Sequence, residues 1–341
     1  MQRRLRIAVD AMGGDFAPVE TVKGAVQAAR EYGTEVILVG HLDAVNEELA
    51  KYDTAGLPIR SFHAEEFIPD GGNSIAAIRD KKQASILVAN RLVKEGWADA
   101  VVGAGHSGAC LVASSVVLGR LEGIERPACG ACLAIAPNSF VIDLGPNTNC
   151  TAEHLFQFAV MGTVYAQTAL GIPEPTVAVL SNGAEEGKGN RVSKQAYQLL
   201  KDSDLNFIGN VEGHDIVAGK ANVIVCDGFT GNILVKFVEG LSQHLVDALA
   251  KALDDHWPTV ARLPIIEQLR NMVDITAYDG GLLLGVDGVS VLCHGRSDAT
   301  AIKRTIQRAR HAVEQGVVDC VKSALAYELP RVKEALLASG A

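Results

Sequence analysis

The strongest constraint in this sequence is an alternation that runs from end to end. Short apolar segments of strand length are separated by longer segments with helical periodicity. The strand-like segments are Arg6–Val9, Glu35–Val39, Ile59–His63, Asp99–Val102, Ala128–Ile135, Phe140–Ile142, Thr176–Leu180, Leu205–Ile208, Val223–Val225 and Val289–Cys293. The helical patterns are Val19–Tyr32, Ile75–Gly96, Ala109–Leu121, Ala152–Leu170, Lys188–Leu200, Ile233–His256 and Ala299–Glu314. Several strand segments are apolar throughout, as strands covered on both faces must be. The pattern predicts an α/β fold, a doubly wound and mostly parallel sheet with right-handed crossovers. No repeat, low-complexity tract or Pro/Gly/Ser-rich boundary divides the 341 residues, so the chain reads as a single α/β domain, with a split near residue 150 as the alternative.

Composition removes several function classes. A net charge of −9 and an aromatic content of 5% argue against nucleic-acid binding, which needs a basic face and stacking platforms. Seven scattered cysteines do not form a disulfide framework. Cys129-Gly-Ala-Cys132 lies in an apolar run and reads as buried free thiols. The basic start is only Met1-Gln2-Arg3-Arg4, and the apolar run after it stops at Asp10, so it does not read as a signal peptide. No apolar run reaches the roughly 18 residues of a membrane span. A soluble, cytoplasmic protein is expected.

One segment breaks the alternation. Ile233–His256 is long, Pro258 and Pro264 follow it, and Ile265, Ile266, Leu269, Met272 and Val273 then share one helical face. The sequence predicts a helical hairpin inserted at about residues 233–276. Its apolar face is suited to covering the core, forming a dimer or touching a membrane.

Glycine-rich loops recur at strand ends. The first is Asp10-Ala-Met-Gly13-Gly14-Asp15. Gly103-Ala-Gly105-His106-Ser107-Gly108 matches the dinucleotide fingerprint G-x-G-x-x-G. Its acidic partner is misplaced, because Glu122 and Glu125 sit in a polar connection rather than at a strand end. An anion site at a helix N-terminus is the alternative reading. Asp143–Asn147, Ser181–Asn190, Asp227–Asn232, Asp279–Gly285 and His294–Asp298 complete the set. A parallel sheet is expected to bring such loops to one edge.

The chemical inventory in these loops is Lys188 with His106, His294, Asn182, Asn190 and Asn232. No G-x-S-x-G elbow, Walker lysine motif or metal-ligand spacing occurs. The loops therefore supply donors for an anion or oxyanion, and no metal or cofactor is expected.

These residues resemble the bacterial phosphate acyltransferase family of phospholipid synthesis. The resemblance is carried by Ala8–Asp15, Arg91–Gly96, Gly123–Pro127, Glu153–Gly162, Glu185–Asn190, Gly209–Gly213, Val225–Asn232 and His294–Ala299, in order over nearly the whole chain. It implies transfer of a fatty acyl group from acyl carrier protein to inorganic phosphate, giving acyl phosphate. The implied fold is a Rossmann-like sheet related to that of phosphate acetyltransferases and isopropylmalate dehydrogenases, usually as a homodimer. Lys188 and Asn232 are the implied catalytic pair. The implied substrate-binding residues are Asp10, Gly13, Gly14, Asp15, Gly105, His106, Ser107, Gly108, Asn147, Glu185, Asn190, Asp227, Gly228, Gly231, His294 and Ser297. Of these, Asp10 and Asp15 are expected to brace their loop or orient Lys188. His106 departs from the family, which usually carries asparagine there.

The resemblance also implies partners. They are acyl carrier protein, phosphate, a second copy of the chain, peripheral contact with the inner face of the membrane, and a downstream acyl-phosphate glycerol-3-phosphate acyltransferase. Two basic groups are candidates for docking the acidic carrier: Arg79, Lys81, Lys82, Arg91 and Lys94, or Lys303, Arg304, Arg308 and Arg310. The alternatives left by the residues are a nicotinamide-dependent dehydrogenase built on Gly103–Gly108, and an inactive carrier-binding scaffold.

Overall fold

The computed structural model describes residues 3–69, 74–105, 107–133, 135–256 and 280–339. Eleven strands form one sheet: β1 Arg6–Asp10, β2 Glu35–Gly40, β3 Ile59–His63, β4 Ala100–Gly103, β5 Ala128–Leu133, β6 Ala136–Ile142, β7 Val177–Leu180, β8 Phe207–Val211, β9 Val223–Val225, β10 Gly281–Leu284 and β11 Val289–Leu292. Their order across the sheet is β3-β2-β1-β4-β11-β10-β5-β6-β9-β7-β8. The α/β, mostly parallel architecture expected from the alternation is the one observed.

Direction within the sheet matters for the site. The strands from β3 to β11 run parallel. The pairings β11–β10, β10–β5 and β5–β6 are antiparallel. From β6 to β8 the strands are parallel again. Three reversals leave the second parallel block pointing opposite to the first. The strand-end loops are therefore divided between two edges, and the expectation that one edge gathers them all is corrected.

Two other expectations change. Asp279–Gly285 contains β10, whose Leu282–Leu284 are 2–3% exposed between β11 and β5. Three leucines between glycines are too short a run to declare a strand. Ile75–Gly96 is two helices, Ser74–Asp80 and Ser85–Lys94. Ala84 is extended, and the backbone N–H of Ser85 donates to the Glu66 carbonyl at 2.8 Å, so a bridge to another segment outcompetes helix continuation. The helices Leu42–Leu49, Gly213–Val217 and Val317–Ser339 were not anticipated.

The helix Ala152–Thr168 is buried along almost its entire length, which explains its weak amphipathic pattern. Tyr165 stacks on fully buried Phe140 at 4.3 Å between ring centroids. Its start is held by a reciprocal cap. The Thr151 N–H donates to His154 Nδ1 at 3.0 Å, and the His154 N–H donates to Thr151 Oγ1. Because Nδ1 accepts, Nε2 carries the proton and donates to Glu125 Oε2 at 2.9 Å. His154→Ala is expected to lower stability by about 1 kcal/mol, read from the urea midpoint.

The helix Gly228–His256 buries Val238 and Leu253 but leaves Phe229, Ile233, Phe237, Leu241, Leu245 and Leu249 exposed at every fourth position. Core covering thus accounts for part of its apolar surface only. The Ile265–Val273 half of the expected hairpin lies outside the described residues, as do His106 and residues 70–73. Among the described residues, no helix is long and apolar enough to cross a membrane.

Candidate active site

At the first edge, the loops after β1, β4 and β11 close on one another. Gly14 has φ +94°, and a Cβ there would lie 2.9 Å from the carbonyl oxygens of both Ala104 and Gly295. The Asp15 N–H donates to the Gly295 carbonyl at 2.8 Å. A Cβ on Gly13 would lie 2.7 Å from the Gly105 backbone nitrogen. The adjacent glycines thus admit neighbouring loops, and the Gly105 backbone is covered by Gly13 where a dinucleotide reading needs open backbone. Ser107 opens the helix Ser107–Val117, and Gly108 follows it. His294 Nδ1 accepts from the Arg296 N–H at 3.2 Å, and the Ser297 N–H donates to the His294 carbonyl at 3.0 Å.

Asp10 is 4% exposed and accepts from the Met12 N–H at 3.2 Å. Burial pushes its carboxyl up to about 6, against the opposing effect of hydrogen bonds. The bracing role expected of Asp10 fits this geometry. Orienting Lys188 does not, because Lys188 follows β7 at the opposite edge of the same sheet.

At the second edge, the loops after β7 and β9, with Leu155 of the helix Ala152–Thr168, enclose a cleft of about 340 Å³. Its walls include Ser181, Asn182, Gly189, Asn190, Asp227 and Thr230 with the apolar Leu155, Leu180 and Val192. Asn182 Oδ1 accepts from the Gly189 N–H at 2.9 Å, and the Lys188 N–H donates to the Glu185 carbonyl at 2.9 Å. These bonds fold Ser181–Asn190 into a tight turn that carries Lys188, which is exposed, beside the cleft. Asn190 caps the helix Arg191–Lys201 by accepting from the Ser193 N–H at 2.9 Å. Asp227 Oδ1 accepts from the Thr230 N–H at 2.8 Å, turning the chain into the helix that carries Asn232 one turn after its start.

The structure therefore gathers Lys188, Asn232, Glu185, Asn190, Asp227, Gly228 and Gly231 with Asn147 at one edge. It places Asp10, Gly13, Gly14, Asp15, Gly105, Ser107, Gly108, His294 and Ser297 at the other. Asn147 is 6% exposed, and its amide donates to Asp143 Oδ2 and the Pro127 carbonyl. Its side chain is engaged as a brace, a different role from the substrate contact expected of it. Sequence reasoning missed Ser181, Thr230 and Leu155 as lining residues. Ser181 Oγ is buried with no hydrogen-bond partner among the described residues, which leaves a polar atom in the wall for a ligand to satisfy. Its only signal in the sequence is its position directly after β7.

Burial disfavours a thiolate at the two cysteines of this edge. Burial, then the Asp143 and Asp227 carboxylates, pushes the Cys226 thiol well up, and the same causes raise Cys150 to about 12. Both thiols stay protonated at neutral pH. Among the described residues, Glu212, His214 and Asp215 approach metal-ligand spacing. Asp215 already accepts from the Glu212 N–H at 2.9 Å and from Lys220 Nζ at 3.1 Å, as a helix cap.

Asp143 shares the property of Asp10: burial raises it to about 6. Between about pH 4 and 6 the folded chain holds protons on these two carboxyls that the unfolded chain has released. Their contribution to stability is therefore most favourable at the acid end and falls as pH rises through this window, by up to about 2 kcal/mol per group. Melting curves at pH 5 and 7.5 should differ less in Asp10→Asn than in the parent.

A family described as "Fatty acid synthesis protein" matches residues 5–320. The phosphate acyltransferase of Desulforamulus reducens is 44% identical over 325 residues, covering 94% of this chain and 97% of that protein. That of Moorella thermoacetica is 44% identical over 341 residues, covering 98% and 99%. Among solved structures, the EutD phosphotransacetylase from Staphylococcus aureus superimposes with a TM-score of 0.56 at 16% identity, covering 90% of this chain and 94% of that one. A 4-hydroxythreonine-4-phosphate dehydrogenase from Klebsiella pneumoniae gives 0.50 at 12% identity, covering 91% and 100%. At these identities the structures show a shared fold.

Proposed function

Since the chain belongs to the phosphate acyltransferase family, an acyltransferase family of lipid synthesis, we propose that it moves a fatty acyl group from the acyl carrier protein thioester to inorganic phosphate. The observation that carries this reading is the second-edge cleft. Its mixed polar and apolar walls are drawn from the Ser181–Asn190 and Asp227–Asn232 loops, which carry Lys188 and Asn232, and burial disfavours a thiolate at its wall residue Cys226, which supports this assignment. Lys188 holds phosphate beside the thioester and offsets its charge. A phosphate oxygen attacks the carbonyl carbon, and the Asn232 amide donates to the oxyanion that forms. Collapse of the tetrahedral species breaks the C–S bond. The products are acyl phosphate and the carrier thiolate, which takes up a proton from solvent. Phosphate is itself the nucleophile, so no covalent acyl-enzyme is needed.

The same reading extends to partners. The chain acts as a homodimer, as one α/β domain with a projecting hairpin, and meets the membrane peripherally to pass acyl phosphate to a glycerol-3-phosphate acyltransferase. The exposed Phe229–Leu249 stripe supports an apolar partner surface. For carrier docking, Lys303 is tied to Glu31, Arg310 to Glu314 and Arg79 to Asp80, whereas Arg91 and Lys94 bond neutral carbonyl groups among the described residues. This favours the Arg91 and Lys94 part of the first group.

Purified protein incubated with acyl-carrier-protein thioester should release free carrier only when phosphate is added. Release without phosphate, or no release, overturns the reading.

A further inference from the structure

We propose that Asp143 is the positioning residue of this centre, setting the Asn232 amide through Asn147 and the start of the long helix. The inference rests on the acyl-transfer reading of the cleft.

Asp143 is fully buried, so it cannot touch substrate. Its Oδ1 accepts from the Cys129 N–H at 3.0 Å. Its Oδ2 accepts from the Asn147 N–H at 2.7 Å and from Asn147 Nδ2 at 2.9 Å. Three donors from two chain segments converge on one side chain, and only an acceptor-only group satisfies them all. An asparagine in its place would turn an amide N–H toward another donor, a buried mismatch.

Two contacts relay this to Asn232. The Asn147 carbonyl accepts from the Gly228 N–H at 2.8 Å, and Gly228 begins the helix one turn before Asn232. Gly145, inside the same Asp143–Asn147 turn, has φ +151°, and a Cβ there would lie 3.0 Å from Asn232 Nδ2. The turn thus fixes both the backbone that carries Asn232 and the surface its amide rests on. Burying a carboxylate is costly, and here the return is a fixed geometry at the donor end of the cleft.

The test is a double-mutant cycle in steady-state kinetics, with phosphate varied. Asp143→Asn should lower kcat roughly 10- to 100-fold, with KM for phosphate nearly unchanged, because the attacking group is bound by Lys188 and only the oxyanion donor is misplaced. In an Asn232→Ala background the same change should lower kcat by less than about twofold, since the group it positions is gone. Asn147→Ala keeps the carboxylate and should show the same non-additivity more weakly, which covers the case in which Asp143→Asn does not fold. Losses that multiply independently with Asn232→Ala would overturn the role of Asp143 while leaving acyl transfer intact. A parent enzyme without phosphate-dependent release would overturn both.

Discussion

Lys188→Ala is expected to lower kcat/KM for phosphate-dependent thioester cleavage by about 10²- to 10³-fold, the scale of losing one charge-stabilising donor in a preorganised site. The fold should be unaffected. Lys188 is exposed on a turn whose own hydrogen bonds are made by backbone N–H groups, the Asn182 side chain and the Glu185 carbonyl. A matching thermal midpoint in parent and variant would assign the loss to chemistry. Its phosphate dependence would then separate the two roles given to the side chain. A raised KM alone means binding, and a lowered kcat means alignment with the carbonyl carbon. An unchanged rate would remove Lys188 from the mechanism and break the link between this cleft and the reaction.

The second large effect is on structure. Gly231→Val should destabilise the protein by about 3 kcal/mol or prevent folding, because a Cβ at this position runs into the Asp143 backbone carbonyl. Backbone meets backbone there, so no rotamer change relieves the clash, and the helix start has to move away from β6. Because Asn232 follows directly, residual folded protein should also lose activity. Gly240 supplies the control within the same helix. A Cβ there meets nothing within 4 Å, and Gly240→Ala should stabilise by roughly 0.5–1 kcal/mol through helix propensity. Opposite shifts in the urea midpoint for the two glycines would establish that packing against Asp143, rather than loss of glycine from a helix, sets the outcome.

Much of the fold was legible because it rests on periodicity. Val19–Tyr32, Ile59–His63, Val223–Val225 and Ala299–Glu314 form over the residues their patterns mark. The direction of the strands was not legible. Parallel and antiparallel neighbours both read as short apolar runs, and the three reversals at β11–β10, β10–β5 and β5–β6 depend on which distant segments pair. That single fact separates the Asp10–Asp15 loop from Lys188. Within the site, Lys188 and Asn232 stood out as polar residues in glycine loops. Asp143 did not, since its importance comes from the three donors that fold around it. Ser181 is distinguished only by an unsatisfied hydroxyl that no sequence pattern announces.

The strand order carries a consequence for biosynthesis. β10 and β11 are made from residues 281–292, yet they lie between β4 and β5 in the middle of the sheet. Until this late hairpin leaves the ribosome, β4 and β5 each present an open edge of unpaired backbone. The nascent protein should therefore pass through a stage of two half-sheets with sticky inner margins, a stage at which chaperone capture is most needed. The two antiparallel pairings of this late hairpin cancel, so the opposite pointing of the two blocks is already set by the early β5–β6 hairpin.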